Sequence, residues 1–199
     1  MSGSFPLSTA QFETLRLKSI QDTILSKSVS GKKLSRQIDG QRWAFTARVI
    51  TAKRSDVYGD LMAFIVKQRS GKENFTIIPP EIEDARGTAS GVPHGTASAG
   101  ATSITLGGTG TGTLKAGDFI KFANHDKVYM VVADQADIST GTLTIEPPLT
   151  TAVSSSTIVY DNVPFTVYLT NDIQEFGVVG NDKDGNLLYQ FEIDLEEAL

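Results

Sequence analysis

The 199-residue chain has no cysteine and only two histidines, His94 and His125. Without cysteine there is no disulfide framework, no zinc–thiolate site and no thiol nucleophile, a composition that fits synthesis in a reducing cytoplasm. The histidines stand thirty-one positions apart, and that spacing suggests no third ligand for a metal. No run of eighteen apolar residues occurs, so no helical membrane span is expected. The start, MSGSFPLSTAQFETL, has neither the basic nor the apolar stretch of a secretory signal. Aromatics make up 8 % of the chain and tryptophan occurs once, as Trp43. What remains is ordinary for a folded domain: 40 % hydrophobic and 21 % charged residues, in a length that fits one or two domains with a real core.

The net charge of −5 argues against general nucleic-acid binding, but it is unevenly placed. Ten basic and two acidic residues lie between Arg16 and Arg54, a local +8, and the remainder carries −13. Two solvated faces of opposite sign would explain this. Complementary patches that steer neighbouring copies together are the sharper alternative.

Three textures follow one another. In the first, to Pro80, residues 41–49 put Trp43, Phe45, Ala47 and Val49 on one face of a strand. A helix is predicted from Asp56, capped there or at Ser55, to Arg69, with Val57, Leu61 and Ile65 on its core face against Trp43. Gly71 stands where a C-capping glycine is wanted. Residues 75–78 form another strand, stopped by Pro79-Pro80. In the second, residues 87–117 hold nine glycines, too many for a long helix. Short strands at 103–106, 119–122, 128–132 and 142–145 suggest a small all-β barrel or sandwich. In the third, strands at 164–169 and 187–195 flank a hairpin turn at 180–186. The last strand needs partners, and the first texture offers them. The expected fold is therefore mainly β with one helix. Residues 1–80 and 161–199 form one discontinuous barrel or sandwich domain, into which a small β-barrel of residues 81–160 is inserted.

Little here points to chemistry. His125, in an Asn-His-Asp turn, lacks a G-x-S-x-G partner and reads as a local hydrogen-bonding histidine, while His94 falls in a Gly/Ser-rich loop. Aligning Asp182, Asp184 and Gly185 with a calcium loop puts Gly180 and Phe191 where acidic ligands belong, so that reading fails. The run 107–112 lacks the Gly-Lys-Ser/Thr end of a phosphate loop and reads as a flexible connection. Glu192, Asp194 and Glu196 alternate with apolar residues and belong to the solvent or interface face of a strand. No catalytic constellation, cofactor or metal is expected.

Three segments carry a resemblance. They are residues 38–45 followed by the 56–69 helix, the run 112–122 with His125 and Lys127-Val128-Tyr129, and the closing residues 191–199. In these the chain resembles the distal tail (Dit) proteins of long-tailed, non-contractile bacteriophages. The middle run is the most specific. The resemblance implies a structural, non-enzymatic protein with two domains, the inserted one OB-like. It further implies a homo-hexameric ring at the distal end of the phage tail in the virion, made in the bacterial host cytoplasm. The implied partners are further copies of the chain, the tail tube protein, the baseplate hub and receptor-binding machinery, and side fibres or collar proteins. No membrane is implied, and DNA enters only as passing cargo. With the charge asymmetry, this makes Lys32, Lys33 and Arg36 on one side, and Glu192, Asp194 and Glu196 on the other, the expected assembly interface. The alternative is a carbohydrate-binding module for host attachment. An OB-type nucleic-acid binder is disfavoured, because the basic residues lie outside 82–160.

Overall fold

The computed structural model describes residues 3–6, 12–37, 40–80 and 82–199; Ile38 and Asp39 of the first resembling segment, and Glu81 at the expected domain boundary, lie outside these. Strands β1 (Phe12–Ile20), β2 (Thr23–Lys27), β3 (Lys33–Gln37), β4 (Arg42–Val49) and β5 (Ala52–Lys53) precede a π turn, Arg54–Tyr58, that runs into α1 (Gly59–Lys67). A 3-10 turn, Ser70–Lys72, leads to β6 (Phe75–Ile77). Six strands follow: β7 (Pro93–Ala97), β8 (Ser103–Gly108), β9 (Phe119–Phe122), β10 (Val128–Val131), β11 (Thr142–Glu146) and β12 (Val153–Val159). β13 (Phe165–Leu169), β14 (Gly177–Asn181), β15 (Leu187–Gln190) and β16 (Glu192–Glu197) complete the chain. The protein is mainly β, with one α-helix among the described residues.

The first and last parts of the chain share a five-stranded sheet in the order β1-β4-β16-β13-β6, and its paired strands are all antiparallel. The period-two reading of β4 holds, with Trp43, Phe45, Ala47 and Val49 all buried. The expected continuous terminal strand is instead two. β15 pairs with β14 and β5 in a separate three-stranded sheet, and β16 begins after Phe191 and crosses to β4 and β13. The buried Phe191 accounts for the change of sheet: its ring stacks on Phe176 and meets Tyr58 edge-on, so it anchors the corner in the core.

The middle of the chain closes into a six-stranded antiparallel barrel, β10-β11-β8-β7-β12-β9. Ile104, Leu114, Ile120, Phe122, Tyr129, Ile145 and their neighbours fill it. The glycine run expected as a flexible connection is built into this structure. Gly107 and Gly108 end β8, Thr111 bridges Ser90, and Gly112 lies so near the Thr88 carbonyl that a Cβ would approach it to 2.1 Å. His94 sits on β7 rather than in a loop. As expected, Pro79 follows the end of β6, and Pro147 likewise follows β11.

α1 buries Leu61 and Ile65. It is entered through the π turn, where a Cβ on Gly59 would sit 2.8 Å from the Arg54 carbonyl oxygen; close approach explains this glycine. At the far end the left-handed residues are Arg69 and Ser70, not Gly71. Gly71 is needed for another reason, since a Cβ there would meet the Leu169 carbonyl oxygen at 2.7 Å. Trp43 belongs to the same core cluster as Leu61 and Ile65. Its ring, however, packs edge-on against Phe119 of the barrel at 5.2 Å, and its indole N–H donates to the Val128 carbonyl at 2.9 Å.

Candidate assembly surface

Among the described residues β2 and β3 pair only with each other, and every residue of both is exposed. The turn between them closes through the Gly31 N–H donating to the Ser28 carbonyl, with Gly31 in the left-handed region that glycine adopts freely. Lys32 lies in this connection, and Lys33 and Arg36 lie on β3. Among the described residues none of the three makes an ion pair. Other cations of the +8 region are engaged within the chain. Arg42 pairs with Glu196 at 3.0 Å and with Asp22, Arg48 pairs with Glu13, and Lys53 pairs with Asp182 at 2.5 Å.

The three carboxylates differ among themselves. Glu192 is exposed, across the ladder from Arg48. Asp194 is half-buried and accepts from the Thr46 hydroxyl at 2.7 Å and from the Asn171 amide. Glu196 is held by Arg42. Within one copy the acidic and basic sets are not brought together, and only Glu192 among the carboxylates is left facing solvent. A concave groove of about 520 Å³ opens beside it, lined by Ile173, Glu175, Gln190, Glu192 and Asp194 among others.

The junction between barrel and sheet holds what the sequence reading missed. Glu197 is fully buried and accepts from the Lys127 ammonium at 2.5 Å, the Val128 N–H at 2.8 Å and the Trp43 N–H at 3.1 Å. Lys127, 2 % exposed, also donates to Gln41. Burial pushes the Glu197 carboxyl up and draws the Lys127 ammonium down, each offset in part by attraction to the other. Period two carried the signal: Glu197 follows Ile193 and Leu195 on the buried face. The segments that join the barrel to the rest are also bound together. Ala85 N–H donates to the Tyr160 carbonyl, Val163 N–H to the Glu83 carbonyl, and Asn162 N–H to the Asp84 carboxylate.

His125 bonds Asn124 through Nδ1 at 2.9 Å and the Tyr129 hydroxyl through Nε2 at 2.8 Å. Burial lowers its proton affinity; Lys121 adds to this and Asp126 opposes it. The Asp182 turn spends its carboxylate on the Asp184 and Asn186 N–H groups and on Lys53. Among the described residues no cluster of three or more His, Asp or Glu side chains is arranged to hold a metal.

Residues 84–163, which include the whole six-stranded barrel, match the family model described as "Distal tail protein pb9, B domain". The match makes this segment, and not the whole chain, similar to a domain of a distal tail protein. No curated protein matches the chain.

Proposed function

We propose that this chain is a structural subunit of a phage tail tip. Its copies close a six-membered ring that continues the tail tube and joins it to the hub and receptor-binding machinery. The observation that carries the reading is that the segment matching a distal tail protein domain is itself a closed barrel, hung from a sheet of strands from both ends of the chain. On this reading residues 1–80 and 161–199 form the ring-building domain and residues 81–160 an inserted, OB-like domain that projects from it. The ring partners are further copies, the tail tube protein and the hub, with side fibres or collar proteins at the periphery.

Lys32, Lys33 and Arg36 face a neighbouring copy, and Glu192, with Asp194 and Glu196 behind it, belongs to the receiving side. A channel that passes DNA needs a neutral or acidic wall, because a basic one would grip phosphates; the basic arm therefore points at protein. The alternative, a carbohydrate-binding adsorption module, has less support. Phe119, Phe122, Tyr129 and Tyr160 are the aromatics of the barrel segment, and all are buried. A glycan array probed with the full chain separates the two, since a purely structural insert binds no glycan. Limited proteolysis tests the domain division: after cleavage between residues 87 and 100, the two outer pieces remain together without denaturant. Their separation would contradict it.

A further inference from the structure

The β2–β3 hairpin is unusual in what it leaves unsatisfied. A two-stranded ribbon is marginally stable alone in water, and among the described residues this one pairs with no third strand. Lys27 lies directly opposite Lys33 in the ladder, and like charges so placed oppose pairing. Residues 23–37 carry four cations, Lys27, Lys32, Lys33 and Arg36, and no carboxylate. Between these charges stand exposed aliphatic side chains: Ile24 at 54 %, Leu34 at 50 % and, at the tip, Val29 fully in solvent. The register places Ile24 opposite Arg36 and Ser26 opposite Leu34. Alternation therefore gives one face of the ribbon Ile24, Leu34 and Arg36, continued by Lys32, and the other face Leu25, Lys27 and Lys33. This is a narrow basic and apolar surface.

Its complement lies on the same chain. The groove beside β16 presents the carboxylates of Glu175 and Glu192, with the half-buried Asp194 in its wall, and Ile173, 79 % exposed, stands at its lip. No cation is among the residues that line it. Arm and groove lie at opposite ends of the large sheet. The arm springs from the end where Ile20 pairs with Arg42, and Glu192 lies across from Arg48 at the other end of β4. That separation is about 20 Å at the rise of a strand, and every residue of the ribbon is exposed, so the ribbon does not fill its own groove. Two complementary surfaces at opposite ends of one molecule make a head-to-tail contact, which closes into a ring if the rotation permits.

We infer that the β2–β3 hairpin of one copy seats in the Ile173/Glu175/Glu192 groove of the next copy, with Ile24 and Leu34 against Ile173 and with Lys32 and Arg36 against Glu175 and Glu192. This rests on the ring reading above and specifies its joint. Exposed ion pairs add little affinity, so aliphatic contact and ribbon ordering supply the strength while the charges set register and encounter rate.

The absence of cysteine makes the test clean. The full chain carrying L34C and I173C together is mildly oxidised at a concentration where its mass shows association, beside each single variant. The inferred joint gives a ladder of disulfide-linked multimers from the double variant and nothing beyond a dimer from either single one. Unmodified chain that associates, with no ladder from the double variant, overturns the joint and leaves the ring standing; unmodified chain that is monomeric at every concentration overturns both. As a second measurement that needs no disulfide geometry, K32E/R36E raises the concentration at half-association by about tenfold. Adding E175K/E192K to the same chain restores it. Failure of the quadruple variant to recover, while each pair alone weakens association, overturns the charge pairing.

Discussion

Glu197 is the residue on which the barrel–sheet junction turns. Three donors converge on it, two of them backbone N–H groups. A buried carboxylate is tolerated only when so satisfied. Removing it strands a buried ammonium and two amides together, so Glu197→Leu should cost about 3–5 kcal/mol in denaturant unfolding. Lys127→Met should cost less, because both backbone donors still hold the carboxylate; the reverse order would mean the ion pair, not the amide cradle, holds the junction. His125 supplies a pH dependence. Its folded proton affinity lies below the ordinary value of 6.5, so on acidification the unfolded chain takes up the proton first. The stability this histidine contributes is whole above that ordinary value and is lost as pH falls toward the folded one. The melting temperature should drop between pH 7 and pH 5, and less so in His125→Gln; equal drops in both would contradict this. His125 was readable as a local hydrogen-bonding residue because turn neighbours define its partner. Lys127 was not, because its partner is seventy positions away, and only the parity of 193, 195 and 197 hinted at it.

At the level of elements, α1 is amphipathic enough to read directly, and its Leu61 is completely buried. Leu61→Ala should cost about 2–5 kcal/mol, measured by chemical denaturation. A loss under about 0.5 kcal/mol would place the helix outside the core, since that is the range of surface substitutions. Strands with aliphatic alternation, β4, β8 and β11 among them, were equally legible. β7 and β12 were not. β7 reads Pro-His-Gly-Thr-Ala, with no strand-forming bulk, and barrel closure gives it its place: Gly95 is small because a Cβ would strike the Phe122 ring at 2.6 Å. The division of the last strand at Phe191 was hidden for a related reason. Alternation runs unbroken through the corner, and only packing against Tyr58 and Phe176 reveals the change of sheet.

For the whole molecule, the separation of charge along the sequence has a structural counterpart. Part of the basic excess is neutralised inside the chain by Asp22, Glu196, Glu13 and Asp182, and Lys27, Lys32, Lys33 and Arg36 lie on or beside the exposed β2–β3 hairpin. Composition exposed the asymmetry, but which cations stay free depends on cross-strand neighbours that sequence order conceals. The match over residues 84–163 accounts for the barrel, and the proposed ring would give a use to the hairpin and the groove outside the matched segment. The most direct test is the mass of the purified full-length chain across a range of concentrations, with negative-stain images of the same sample. The account predicts a closed species of six copies that appears as a ring with a central channel and persists on dilution. A single-copy mass at every concentration, with no rings in the images, would contradict it.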